Sequence, residues 1–468
     1  MYYRVNENYA LRAWKYVNNV VYNRYLPNPI RVDDDTFELL KCCDGDHDLP
    51  ESEVLKNLMR QGIISPCRQG GQPSGWSKYR KYDHRFMPGI NLMVTGKCNY
   101  NCRHCFNSSD NADRMQEWDY DALLDLLDQA SDCGVHTITL TGGEPMLHPR
   151  FNDIVRAIYD RNMVLVRLLT NGHFLNEDTI SLFKELKASP QIIVSFDGVG
   201  HHDWMRRYPG AEEDALRVFK LCASSGFQTR AQTQVHRRNI DSMKATLSLL
   251  ESIGVRITRI IPTVPFPRWE KNAPGASLSV EEYFDRMLDL AEWYLKDGHT
   301  MKAVMWHYLA LYPSEGRYIM INDRIPDGKY HPTAPVCYHN RTKMEITCEG
   351  KAVPCIQISD YAASLGQTYD SLKDRRLADI LNDGEWKNAV CMNLHHLRKD
   401  NKECDACEWF NHCCGGCRAL AIVHAGKQSG KYDYTAPDPI ACHFFKGGWY
   451  DKVKERLSDF VIQGDSSL

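Results

Sequence analysis

Three cysteines in eight positions, Cys98, Cys102 and Cys105 in "GKCNYNCRHCFN", constrain this chain more than any other feature. The spacing is C-x3-C-x2-C, and no fourth cysteine is in reach. A zinc site or a closed iron–sulfur cluster takes four such ligands. Three thiolates hold a [4Fe–4S] cluster by three irons and leave the fourth iron open. The flanks read as alternating strand and helix. "INLMVTG" before the loop is a buried strand, and "DYDALLDLLDQAS" after it is a helix with Tyr120, Leu123, Leu127 and Ala130 at helical spacing. The strand "HTITL" follows and runs into "TGGEP", Thr141 to Pro145. Two glycines after a strand let a ligand approach the backbone closely.

Eighteen cysteines in 468 residues need a reason. The N-terminal "MYYRVNENYALRAWKYV" has no apolar core of signal-peptide length, and no apolar run long enough to cross a membrane follows. The expected location is cytoplasmic, where clustered thiols bind metal more often than they form disulfides. Cys42, Cys43, Cys67, Cys133 and Cys222 stand among apolar residues and read as small buried hydrophobes. The others fall within 98–105 and 337–442. A net charge of −3 gives no footprint for nucleic acid or an anionic membrane surface. The length suggests two or three domains.

C-x3-C-x2-C followed by strand and GGEP resembles the radical S-adenosylmethionine (SAM) superfamily. The resemblance implies an α/β fold built on a partial (β/α)6 barrel. It also implies SAM bound through its amino and carboxylate groups to the open iron, and a GGEP backbone (Gly142, Gly143, Glu144) that holds the amino group. The strand-like "MVLVRLLTNG", "QIIVSFDG", "TRAQTQVHRRN" and "RITRIIPTV", each followed by a helical stretch, suit such a barrel. His104 stands where the family usually has an aromatic residue, and is a planar substitute. "S-x-D-G" matches Ser195 to Gly198, and "H-D-x-x-R" matches His202 to Arg206. By resemblance Ser195 and Arg206 contact the SAM carboxylate, and Val264 sits against the adenine.

The second cysteine group reads Cys337-x12-Gly350-x4-Cys355, then Cys404-x2-Cys407-x5-Cys413-x3-Cys417, then Cys442. It resembles the SPASM extension of radical SAM enzymes at all seven cysteines. The resemblance implies two auxiliary [4Fe–4S] clusters, making three in all. Cys404, Cys407, Cys413 and Cys442 would close one. Cys337, Cys355 and Cys417 would bind the other, with either Cys348, in the expected hairpin "MEITCEGKAVPC", or an open iron at the fourth position. Cys391 and Cys414 read as packing residues. A zinc ribbon would suit C-x2-C…C-x3-C but fits seven cysteines poorly.

Residues 1–85 carry no metal motif. "TFELLKCCDGDHDLPESEVLKNLMRQGIIS" reads as helix, Asp-Gly turn, helix, with Gly62 ending the second helix. Phe37, Leu40 and Cys43, then Val54, Leu58 and Ile63, form the expected apolar faces. The segment resembles the PqqD-like winged-helix element that binds precursor leader peptides by β-augmentation, and it lacks the basic stripe of a DNA-binding helix-turn-helix. The expected divisions are this element at 1–85, the barrel at 86–310, a bridging segment and SPASM domain at 311–450, and a tail at 451–468. In the stretch around 275–335 only a helix with the capping box Ser279-x-x-Glu282 is legible.

Together these resemblances imply a maturase of ribosomally made peptides. A 5′-deoxyadenosyl radical would abstract hydrogen from a core-peptide residue, and an auxiliary cluster would take the remaining electron as a crosslink forms, a thioether or a C–C bond. The implied partners are a leader-bearing precursor peptide and an electron donor such as flavodoxin or ferredoxin, with no nucleic acid and no membrane. Two rivals stand beside this reading. A maturase of a folded protein such as a sulfatase would place an aspartate base after Pro354-Cys355, where this chain has Ile356. A non-catalytic cluster protein would have no use for a SAM pocket.

Overall fold

The computed structural model describes residues 1–105, 116–263, 267–337 and 341–462. Its centre is a run of parallel strands alternating with helices. The strands are β6 (Gly89–Met93), β7 (Thr137–Thr141), β8 (Val164–Thr170), β9 (Gln191–Ser195), β10 (Thr229–Val235) and β11 (Ile257–Pro262), each hydrogen-bonded to the next in parallel. Helices Tyr120–Asp132, Phe151–Asp160, Glu177–Glu185, Ala211–Ser224 and Met243–Ser252 connect them. All six strands and the helical periodicity after the cysteine loop match the sequence reading. The expected partial (β/α)6 barrel is present.

Strand alternation decides what faces where. In β10, Thr229, Ala231, Thr233 and Val235 are buried under the helices. Arg230, Gln232 and Gln234 point the other way, into the barrel. The helices close over the outer face with Leu123, Leu127, Ile154, Ile158, Phe183, Val218, Phe219 and Leu247. Full burial of such a side chain contributes roughly 1.5–3 kcal/mol.

The sheet continues past the barrel on both sides, to twelve strands among the described residues. After β11 come β12 (Lys302–Met305), parallel to it, and antiparallel β13 (Leu309–Tyr312) and β14 (Arg317–Met320). The capping box is present: Ser279 and Glu282 exchange hydrogen bonds of 3.0 and 2.8 Å. On the other side β15 (Lys343–Ile346) adds in parallel to β6 and turns back as β16 (Ala352–Val353). This is the expected hairpin, with Gly350 at φ +90° in its turn. Much of 451–468, expected as a tail, is structured. Helix Trp449–Arg456 buries Val453 and ties Arg456 to Asp289, and β17 (Val461–Ile462) pairs with β14.

The N-terminal segment has a core of its own. β1 (Tyr2–Val5) pairs with β4 (Ile64–Cys67), and β2 (Tyr9–Trp14) lies between β3 (Val17–Asn23) and β5 (Arg80–Tyr82). Helices Asp34–Lys41 and Glu53–Arg60 are capped by Asp33 and Ser52, and Gly62, at φ +69°, follows the second helix as expected. Phe37, Leu40, Cys43, Leu58 and Ile63 are buried together. Val54 is a correction. It is 45% exposed while Leu55 faces the core, because a cap at Ser52 turns the inward face one position later. The segment docks on the barrel through Trp14, whose indole donates to the Cys133 carbonyl, and through Tyr22 stacked on His136 at 4.1 Å. Among the described residues no helix is long and apolar enough to cross a membrane.

Candidate active site

The barrel encloses a cavity of about 690 Å³. Cys98, Cys102, Cys105 and His104 line it together with Gly142, Gly143, Ser195 and Arg206. Cys337, Cys355 and Cys417 line the same cavity, Cys337 ahead of the hairpin β15–β16, Cys355 just after it and Cys417 at the start of helix Arg418–Ser429. Two cysteine triplets far apart in sequence therefore share one chamber.

The loop bearing the first triplet is held from several sides. Tyr100 stacks on Tyr208 at 4.5 Å and donates to Asp214 at 3.1 Å. Arg103 donates to the carbonyls of Trp204 and Asn272, and Arg268 donates to the Cys102 carbonyl at 3.1 Å. Asn171, at the end of β8, donates to Asn99 at 2.7 Å and approaches the Cys98 sulfur at 3.9 Å. Sequence reasoning passed over Asn171, though "TNG" closing a parallel strand signals a cavity-edge polar residue.

The two glycines are required by backbone, not by open space. Gly143 N–H donates to Thr95 O, and Glu144 N–H donates to Lys97 O, both at 2.8 Å. A Cβ on Gly142 would lie 2.5 Å from Thr95 O, and one on Gly143 would lie 2.2 Å from Lys97 O. The side chain of Glu144 turns inward and is fully buried. It accepts from Asn171 N at 2.7 Å and Thr170 Oγ1 at 2.9 Å. Burial pushes its carboxyl up to about 7 against those hydrogen bonds.

Arg206 is buried and forks onto Asp197, Nε to Oδ2 at 2.7 Å and Nη2 to Oδ1 at 3.1 Å. Its remaining nitrogen, Nη1, donates to the Cys102 sulfur at 3.7 Å. Burial alone would lower the guanidinium pKa, but Asp197 and Cys102 outweigh it and keep the group charged. Asp197 is held well below the usual carboxylate range: burial opposes this, and Arg206 and His202 overcome it. Gln234 N–H donates to the same carboxylate at 2.9 Å. Asp197 thus anchors three elements beside the cysteine loop. Ser195 lies at the end of β9 on the cavity wall. His104 is half-buried, its Nδ1 has no hydrogen-bond partner among the described residues, and desolvation lowers its imidazole to about 3. Val264 lies outside the described residues.

Cys404, Cys407, Cys413 and Cys442 meet around a separate small void with Asp438 and Lys446. Cys348 is buried, donates to Glu349 at 3.3 Å, and is not among the residues lining the large cavity. Cys414 is buried in a small apolar cluster, and Cys391 packs against the main core. Cys43, Cys133 and Cys222 are buried, with thiols pushed up to about 12 by burial, while Cys42 and Cys67 are half-buried.

The donor set fits a [4Fe–4S] cluster with SAM. Three thiols line a roomy cavity together with an arginine and a backbone turn carrying two glycines. Burial raises the Cys98 thiol to about 12 and Cys102 likewise upward, so a positively charged centre is what would favour their thiolates there. Among the described residues no three His, Cys, Asp or Glu side chains converge on a point as a single ion would need. A cubane cluster holds its thiolates at separate corners, farther apart than one ion does.

Residues 92–250 match the Radical SAM superfamily. Two sequence relatives align with most of the chain. The AdoMet-dependent heme synthase of Methanosarcina barkeri is 24% identical over 358 residues, 75% of this chain and 95% of that protein. The PqqA peptide cyclase of Ruegeria pomeroyi is 24% identical over 379 residues, 80% of this chain and 91% of that one. Among solved structures, Streptococcus suis SuiB bound to S-adenosylmethionine superposes at TM-score 0.63 with 13% identity, covering 94% of this chain and 99% of its own. SuiB bound to precursor peptide SuiA gives 0.62. The fold is the radical SAM fold.

Proposed function

We propose that the chain is a radical SAM maturase of a ribosomally made precursor peptide, forming an intramolecular crosslink, a thioether or a C–C bond. The single observation that carries this reading is the shared cavity, with one cysteine triplet at the radical SAM loop and the other contributed by the C-terminal domain. Relatives named as a peptide cyclase and as an enzyme bound to its precursor peptide support it.

In this reading Cys98, Cys102 and Cys105 hold the [4Fe–4S] cluster that binds SAM. When bound, the two supply a 5′-deoxyadenosyl radical that takes hydrogen from the substrate. The chain's own residues position and exclude. A SAM amino group is a hydrogen-bond donor, and the turn of Gly142, Gly143 and Glu144, with its N–H groups committed to Thr95 and Lys97, offers it carbonyls. Arg206, kept charged by Asp197, and Ser195 face the carboxylate, and Val264 is assigned to the adenine. His104 packs the loop. The barrel helices and the docked C-terminal domain keep water from the reacting centre.

The finer assignments follow the same reading. Cys404, Cys407, Cys413 and Cys442 close one auxiliary [4Fe–4S] cluster, while Cys337, Cys355 and Cys417 hold a second with an open iron. Residues 1–85 act as a PqqD-like leader-binding element, residues 86–310 form the barrel, and the auxiliary domain lies within 311–450. A flavodoxin or ferredoxin supplies electrons. Ile356, on the cavity wall, offers no carboxylate to serve as the base that aldehyde formation on a sulfatase would need.

The test is metal content and product mass. Anaerobic reconstitution should give about twelve irons per chain, three clusters of four. Alanine at Cys98, Cys102 and Cys105 should remove about a third of that iron and abolish SAM cleavage. With its leader-bearing peptide the enzyme should give a product lighter by two hydrogens, and it should leave sulfatase peptides unchanged. Stoichiometric zinc with little iron, or formylglycine on a sulfatase peptide, would overturn the reading.

A further inference from the structure

Of the cations on the wall of the large cavity, four have side chains that make no ion pair and no hydrogen bond with any described residue. Arg167 of β8, Arg230 of β10, Arg259 of β11 and Lys343 of β15 all line it, at inward-facing positions of four strands. None makes an ion pair or a side-chain hydrogen bond with a described residue, and Arg230 Nε is buried without a partner. Arg259 rests on the Trp306 ring at 4.6 Å, a contact that leaves its charge uncompensated. Glu345 is the one carboxylate among the described residues of the cavity wall, and it already accepts from Asn91 at 2.6 Å. Burial and mutual repulsion lower Arg230 to about 9 and Lys343 to about 8, the electrostatic signature of crowded, unpaired positive charge.

All four are half-buried, facing the cavity; charge partly withdrawn from water without a counter-charge is costly, and an entering anion offsets that cost. The neighbouring thiols do not account for it. Of the four, Arg259 alone feels Cys355 and Cys417. Arg230 faces Arg259 and Arg167, and Lys343 faces Arg167, Arg230 and Glu345. Nor does SAM, whose carboxylate is assigned to Arg206, an arginine already forked onto Asp197. The quartet and the two cysteine triplets line one cavity, and in this reading the substrate is held in that cavity. Guanidinium groups favour carboxylates in bidentate geometry.

We infer that Arg167, Arg230, Arg259 and Lys343 bind a carboxylate of the substrate, an Asp or Glu side chain in the segment to be modified. The inference rests on the peptide-maturase reading and adds the chemistry of the peptide it accepts. The quartet then acts as a specificity device, fixing which residue stands near the radical source. A small free carboxylic acid has the same chemistry, and the experiment separates the two sources.

The experiment uses the full-length, anaerobically reconstituted protein with SAM. Fluorescein-labelled hexapeptides carrying one central Glu, or Gln in its place, are titrated by anisotropy, with glutarate as the small-carboxylate probe. The Glu peptide should bind at least tenfold more tightly than the Gln peptide. Arg230→Gln and Lys343→Met should each erase most of that difference and leave the Gln peptide unaffected. Arg230→Lys should retain part of it, and Lys220→Gln, on the exposed face of helix Ala211–Ser224, should change nothing. Equal binding of the two peptides by the unaltered protein overturns the carboxylate site while leaving the maturase reading standing. Equal weakening of both peptides by Arg230→Gln overturns it too, since that is a packing effect. Glutarate bound in an Arg230-dependent way while neither peptide binds keeps an anion site but overturns both the peptide source and the maturase reading.

Discussion

At the scale of single residues, the site depends on contacts with no slack. Asp197 is the sole carboxylate on Arg206 among the described residues and also receives Gln234 N–H. Removing one partner of a buried ion pair costs about 3–5 kcal/mol, because the other charge is left unpaired. Asp197→Asn should lower stability by that order in urea unfolding and weaken SAM binding; an unchanged midpoint would show that Arg206 has another partner. Gly143→Ala places a methyl 2.2 Å from the Lys97 carbonyl, so the backbone before Cys98 must move. Overpacking of this kind costs about 1–3 kcal/mol, and SAM cleavage should fall at least tenfold with it. Both residues stand in motifs plain to a sequence reader, and so do the cysteines. The cation quartet does not. Arg167, Arg230, Arg259 and Lys343 lie in four separate strands, and only the barrel register turns them toward one space.

At the scale of elements, the barrel strands were legible because β8, β9 and β11 carry runs of Val, Ile and Leu, and β7 and β10 alternate residue by residue. The strands that extend the sheet were not. β12, β13 and β14 are four residues each and fall in the stretch where sequence showed only a helix, since so short a run sets no period. The three-stranded layer β3–β2–β5 was missed because its central strand, "YALRAW", is buried almost throughout and does not alternate. That layer docks on the barrel through Trp14, which is fully buried. Trp14→Ala should cost about 3–5 kcal/mol and separate the melting of residues 1–85 from that of the barrel in calorimetry. A single transition at an unchanged temperature would show the docking to be weak. A second clip joins helix Met243–Ser252 to the start of β12. Glu251 accepts from Thr300 and from Met301 N at 3.0 Å, and His299 pairs with it. Burial opposes ionisation, but these hydrogen bonds win and lower the carboxyl to about 2. A folded-state pKa below the unfolded value stabilises above about pH 4.5 and loses that contribution as pH falls toward 2. Glu251→Gln should therefore lower stability by about 3 kcal/mol at neutral pH, and the gap to the unaltered protein should close on acidification. A gap independent of pH would assign the effect to packing instead.

At the scale of the whole molecule, the two C-terminal cysteine groups occupy different places. Cys337, Cys355 and Cys417 open onto the barrel cavity, whereas Cys404, Cys407, Cys413 and Cys442 surround a void of their own. Cys442→Ala should accordingly remove about a third of the iron and leave SAM cleavage without peptide nearly unchanged. Its complete loss would mean the two sites are structurally one. The same architecture bears on how the chain is made. β6, the first barrel strand, has β15 as its neighbour on one side, and the Asn91–Glu345 contact there spans 254 residues of sequence. During synthesis that side of β6 stays an open edge until the hairpin at 343–353 has emerged. Open parallel edges are slow to close and prone to pair with other chains. Nascent chains released before residue 343 should aggregate even though every barrel strand is complete, so the C-terminal domain is the chain's own edge guard as well as part of its chamber.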